Sequence, residues 1–227
     1  MDLRSIGGAA GSALSRFNAR HPWSHNDRFH GWILRRLPQR RDLAIDVGCG
    51  RGELLSRLSP EFTRVEGTDL DTGMRHAAAD RCAHLPNVLV DGRSLGELEP
   101  GADLLTMVAV LHHLDLDETL PHVRRILAPR GRLLVVGLAR SESARDFLWD
   151  AASSVTNPLI GVMKHPRALR TPPVGDPFPV AEPELTFDAI RDVVTRELAG
   201  ARLRRRLAFR YTLEWTKPGP DTRPTPR

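Results

Sequence analysis

A chain of 227 residues is long enough for one well-buried α/β domain and short for two. Its 41% hydrophobic and 27% charged content fits a folded globular protein and excludes wholesale disorder. The net charge of +5 rests almost wholly on arginine, since only Lys164 and Lys217 are lysines among the 33 basic residues; these arginines are scattered apart from Arg204, Arg205 and Arg206, whereas a nucleic-acid footprint gathers on one face.

In chain order, residues 1–20 are small, polar and weakly patterned, as in a loose arm. Phe29, Ile33 and Leu37 recur every four residues beside Trp32 and Leu34, which predicts a short amphipathic helix over 27–37 that lids or packs on the sheet. His25 and His30 in this stretch, with Trp23 and Asn26, read as surface or core-edge groups, with contact to cofactor or substrate as the alternative. Five strand-length apolar runs then succeed it, at 43–47, 65–70, 87–91, 102–110 and 132–138. They alternate with helical stretches at 52–58, 73–83 and 117–128, the last closed by Pro129 and Gly131. That alternation predicts βαβ units and a parallel sheet. The rhythm breaks from 141 to 183, a proline-rich passage holding Trp149, Met163, His165 and Phe178, whose length suits an active-site cover. Thr186 caps a helix to about Leu198, Gly200 ends it, and ARLRRRL with FRYTLEWT supply the last strands. Within ARLRRRL, alternate arginines face solvent. A tail over 218–227 is expected to be disordered. The organisation is thus an arm and lid helix over 1–38 and a ligand-binding domain over 39–217.

Two cysteines, Cys49 and Cys82, lack C-x-x-C spacing, so neither a disulfide framework nor a metal site is expected. The longest apolar run, at 104–111 with Thr106 inside it, is far short of the ~20 residues that span a bilayer. With no secretory h-region near the amino terminus, the expected location is cytoplasmic.

The strongest chemical signal is the strand at 43–47 running into DVGCGRG, Asp46 to Gly52, and then a helix. Gly48, Gly50 and Gly52 clear side chains from a sharp turn around Cys49, and the helix start offers N–H groups to a ligand. A dinucleotide fingerprint needs its third glycine at position 53, where Glu53 stands, and a carboxylate is a poor neighbour for a pyrophosphate. Asp46, ahead of the glycines, suits the ammonium of an amino-acid-like ligand. Asp69, with Leu70 beside it, closes the second strand at the distance where a carboxylate meets ribose hydroxyls; Asp71 reads as a helix cap. Asp91 in VDGRS, next to Gly92, reads equally as an acceptor for an adenine amino group and as a turn aspartate.

DVGCGRGEL, VEGTDLD, VDGRSL, DLLTMVAVLHHL and ILAPRGRLLVVG stand in the order and spacing of class I S-adenosylmethionine-dependent methyltransferase motifs, so the chain resembles that superfamily, in its small-molecule bacterial form, over about residues 40–140. The resemblance implies a Rossmann-like, mostly parallel sheet of seven strands in the order 3-2-1-4-5-7-6, helices on both faces and an antiparallel last strand. It puts the methionine part of the donor at Asp46, Gly48 and Gly50, the ribose at Asp69, the adenine at Asp91, and the donor's amino group at the backbone of Met107 and Val108. S-adenosyl-L-methionine is the implied cofactor.

Methyl transfer from a sulfonium needs positioning and a dry pocket more than a base. His112 and His113 follow the fourth strand at the ligand-binding edge of the sheet, where one could take a proton from the acceptor; packing at the strand end is the alternative. The Asn/Asp-Pro-Pro-aromatic signature of base methylation is absent, since MVAVLHH stands in its place. The resemblance implies as acceptor a small molecule, in bacterial specialised metabolism, bound by a monomer or homodimer away from nucleic acid and membrane. A protein or RNA target, or cofactor binding without turnover, is the alternative.

Overall fold

The computed structural model describes residues 25–140, 183–206 and 210–219, with the side chains of 25–28 excluded. The amino-terminal arm, the tail beyond 219 and the passage 141–182 with Trp149, Met163, His165 and Phe178 lie outside the described residues, as do Trp23 and the side chains of His25 and Asn26.

Among the described residues seven strands form one sheet: β1 (Leu43–Val47), β2 (Arg64–Thr68), β3 (Val88–Asp91), β4 (Ala102–Val108), β5 (Leu127–Gly137), β6 (Arg202–Arg206) and β7 (Arg210–Thr216). Their order is β3-β2-β1-β4-β5-β7-β6, as the resemblance implied. All pairs are parallel except those of β7, which runs antiparallel to both neighbours.

Both faces of the sheet are covered, which is why its central strands read as nearly unbroken apolar runs. One face carries Ile45, Leu105, Leu133, Val135 and Leu213 against α4 (Leu116–Ile126) and α5 (Phe187–Glu197), through Leu120, Val123, Ile190 and Val194. The other carries Ala44, Val65, Leu104, Leu134 and Val136 against α1 (His25–Leu34), α2 (Glu53–Leu58) and α3 (Thr72–Cys82). Phe29, Trp32 and Ile33 of α1 are buried here, so the amino-terminal helix is part of the core. Side-chain caps fix the helix starts: Asp71 accepts from the Met74 N–H at 2.8 Å, and Thr186 from the Ala189 N–H at 3.2 Å.

Several boundaries differ from expectation. β4 stops at Val108 because Ala109 adopts a left-handed φ of 58°, after which Leu111–His113 make a single 3₁₀ turn. α4 ends at Ile126, since the chain enters β5 at Leu127. Pro129 and Gly131 therefore sit within the β5 span, where the pairing jumps from Ala102 with Leu127 to Leu104 with Arg132. β2 ends at Thr68, two residues early, and α1 ends at Leu34, ahead of Pro38, which disfavours helix at the residue before it.

Candidate functional site

Four strand ends define the site. In the register of the sheet Asp91 lies beside Thr68, Thr68 beside Val47, and Val47 beside Met107, one row across β3, β2, β1 and β4. At ~4.8 Å between strands this row is roughly 14 Å long, the reach of an extended nucleoside with an amino-acid arm. Asp46, Gly48, Cys49, Gly50, Asp69, Leu70, Asp91, Gly92, Met107 and Val108 are on the row or within three residues of it. The strand order reverses between β1 and β4, the switch point where open α/β sheets form a ligand crevice.

The glycine turn is held from both sides. Gly48 and Cys49 donate their N–H groups to the Thr68 carbonyl at 2.7 and 3.0 Å. Gly50 N–H donates to Asp69 Oδ2 at 2.9 Å, and Asp71 N–H to Asp69 Oδ1 at 3.0 Å. Gly48, Gly50 and Gly52 all take positive φ, 66°, 54° and 76°. At Gly48 space is equally limiting, because a Cβ there would lie 2.2 Å from Val110 Cγ2. A loop this constrained keeps its backbone open on the ligand side.

Its electrostatics are acidic. Asp46 is 2% exposed beneath the turn, and its carboxyl is pushed up to about 7, chiefly by burial, then by Asp69 and Glu53, against a hydroxyl bond from Thr106 Oγ1 at 2.6 Å. Three carboxyl groups thus surround the turn, an environment that favours a cation and opposes a pyrophosphate. The Cys49 thiol is pushed upward by burial and by Asp46 and Asp69, which keeps it protonated and unreactive. Leu70 is 72% exposed immediately after Asp69, an apolar surface available to a flat base.

Asp91 behaves as the turn aspartate. Its Oδ1 accepts the Arg93 N–H at 3.0 Å and its Oδ2 the Arg93 Nε at 2.7 Å, while Arg93 Nη2 reaches Glu66 at 2.7 Å. The space at Gly92 is filled by the Arg75 guanidinium, 3.2 Å from where a Cβ would stand. Arg75 Nη1 also binds the Asp69 and Leu70 carbonyls, each at 2.9 Å.

The two histidine rings lie against each other but differ in exposure. His113 is exposed; His112 is half-buried, with Nδ1 enclosed and unpartnered among the described residues, the ring centroids being 4.0 Å apart. Burial first, then His113 and Arg210, push His112 down to about 4, so it is neutral and ready to accept at neutral pH, though a weak base. Arg210, at the start of β7, is itself pushed down to about 10 by burial.

Sequence reasoning missed Thr106, Arg75, Val110 and Arg210. Thr106 had a signal: it is the one hydroxyl inside the apolar run of β4, and a buried hydroxyl implies a partner. The other three act through tertiary contacts that local pattern does not encode.

Sheet order and the glycine turn at its switch point define a Rossmann-like fold. The methyltransferase-domain family matches residues 45–133. An uncharacterised methyltransferase of Mycobacterium tuberculosis is 28% identical over 204 residues, covering 87% of this chain and 98% of that protein. The mitomycin biosynthesis 6-O-methyltransferase of Streptomyces lavendulae is 33% identical over 108 residues, 41% of this chain and 29% of that one. The crystal structure of an S-adenosylmethionine-dependent methyltransferase from Aquifex aeolicus superposes with a TM-score of 0.55 at 17% identity, covering 82% of this chain and 88% of that one. Over these spans the chain is similar to S-adenosylmethionine-dependent methyltransferases in sequence and in fold. Among the described residues no helix is long and apolar enough to cross a membrane.

Proposed function

We propose that the protein binds S-adenosylmethionine along the four strand ends and transfers its methyl group to a small-molecule acceptor. The observation that carries this reading is the acid-lined glycine turn, in which Asp46 lies buried under the loop and Asp69 braces it from β2. A ligand with a sulfonium and an ammonium gains from ionised Asp46, whereas a dinucleotide does not. Asp69 receives the vicinal hydroxyls through its remaining lone pairs, Leu70 lies against the base, and the Met107–Val108 backbone meets the amino-acid arm. Asp91, engaged by Arg93, orders the wall of the adenine site and keeps acceptor capacity for an amino group.

When bound, the donor supplies a methyl group on sulfur for in-line displacement by the acceptor. The protein's part is to fix the approach and exclude water. His112, neutral and turned inward, takes a proton that the acceptor loses, with His113 at the exposed rim. The S. lavendulae relative, an O-methyltransferase of a small molecule by its name, supports the acceptor class. Calorimetry with S-adenosylhomocysteine tests the donor site, and methyl-labelled donor incubated with a low-molecular-weight cell fraction tests the transfer. Binding of neither cofactor form would sink the reading; label found only in macromolecules would redirect it to protein or RNA.

A further inference from the structure

The run Arg204–Arg205–Arg206 is split by the sheet. Arg205 turns to the α5 face, over the Phe187 ring at 4.2 Å. Arg202, Arg204 and Arg206, every second residue of the edge strand β6, line an open cavity of about 60 Å³ on the α1 face. Trp32 and Arg36 close it from the α1 side, and Thr212 and Glu214 from β7.

Its polar inventory is one-sided. Among the described residues Glu214 is the only carboxylate lining it, and that is taken by Arg36 Nε at 3.2 Å with Arg132 at 3.9 Å. Arg202 and Arg204 have no acidic partner among the described residues. Arg206 Nε donates to the buried Thr212 hydroxyl at 3.0 Å, and burial together with Arg204 and Arg36 pushes its guanidinium downward, as expected of crowded like charges. Trp32 is 8% exposed, and its indole N–H is enclosed without an acceptor among the described residues. The groove thus presents more guanidinium donors than the carboxylate lining it can pair, with Arg202 and Arg204 exposed.

We propose that this groove is a second ligand site, for a small molecule bearing phosphate groups. A phosphate presents several acceptor oxygens in divergent directions, which suits guanidinium forks from alternate positions of one strand better than a single planar carboxylate does. The groove is small and lined within one stretch of β6 and its neighbours, which favours a compact ligand over a nucleic acid. Three strands, β4, β5 and β7, separate β6 from β1, so the groove is apart from the glycine turn.

Calorimetry at low ionic strength with inorganic pyrophosphate as probe tests this on the full chain, using Arg204→Gln/Arg206→Gln and, should the pair not fold, Arg202→Gln alone. The expected result is saturable one-to-one binding that weakens at least about tenfold in the variant, as loss of a charge-assisted bond implies. S-adenosylhomocysteine binding measured on the same samples stays at the wild-type value, which separates this site from the donor site. Absence of saturable pyrophosphate binding, or equal binding by the variant, overturns the proposal. So does a single-stranded oligonucleotide whose affinity for the groove grows with its length, since that assigns the arginines to a polymer.

Discussion

The Gly50 N–H donates to Asp69 Oδ2 at 2.9 Å, so the turn after β1 is fastened to the end of β2 by the residue proposed to receive the ribose. Asp69→Ala removes its bonds from Gly50 and Asp71 and the ribose acceptor together, and S-adenosylhomocysteine affinity is expected to fall by about 10- to 100-fold in calorimetry. Unchanged affinity would falsify the ribose assignment.

Gly48 is constrained twice, by its φ of 66° and by Val110 Cγ2, 2.2 Å from where a Cβ would stand. Gly48→Ala is expected to destabilise the protein by roughly 2–4 kcal/mol in urea unfolding, combining backbone strain with a core overlap. Adding Val110→Ala relieves the overlap and leaves the strain, so the double variant recovers part of the loss. Full recovery would mean that space alone demands glycine there.

The parallel core was legible because strands buried on both faces show as apolar runs, and Asp46, Asp69 and the glycines were legible because a strand-to-helix turn has few chemical solutions. Asp91 was balanced between two roles for want of one fact, that Arg93 would fold back onto it. The end of β4 was misplaced because apolar Ala109 and Val110 continue the strand pattern, while the break is made by a left-handed backbone at Ala109 that composition does not signal. The arginine run read as a solvated face, and Arg204 is exposed, while Arg205 is drawn over Phe187 and Arg206 to Thr212 by contacts that the run itself does not signal.

His112, pushed down to about 4 chiefly by burial and secondarily by His113 and Arg210, is expected to titrate near that pH in an NMR pH series. Arg210→Gln removes one opposing charge and moves the midpoint upward. A wild-type midpoint near the ordinary histidine value of ~6.5 would show that the ring is solvated and would remove the argument for its inward placement.

Asp46 and His112 pull stability in opposite directions as pH changes. The folded-state pKa of Asp46 is raised from 3.8 to about 7, so the folded protein holds a proton that the unfolded chain releases; Asp46 becomes less costly as pH falls from about 7 toward 4. His112, lowered from 6.5 to about 4, makes the unfolded chain the better proton binder, and stability is lost as pH falls through that window. Only a difference curve isolates either group. Asp46→Asn keeps an oxygen for the Thr106 hydroxyl and removes the buried charge, so above pH ~7 it should stabilise the ligand-free protein by on the order of 2–4 kcal/mol, the gain shrinking toward pH ~4. The same substitution should weaken binding of S-adenosylmethionine, because the negative charge that destabilises the empty fold is what favours a cation above the turn. Wild-type affinity should likewise fall as pH drops from about 7 toward 5, where Asp46 must give up a proton before the cation is favoured, while Asp46→Asn binds weakly and without that dependence. Gain of stability with no loss of affinity would place Asp46 in the scaffold alone and leave the donor's charge to be met by Asp69 and Glu53.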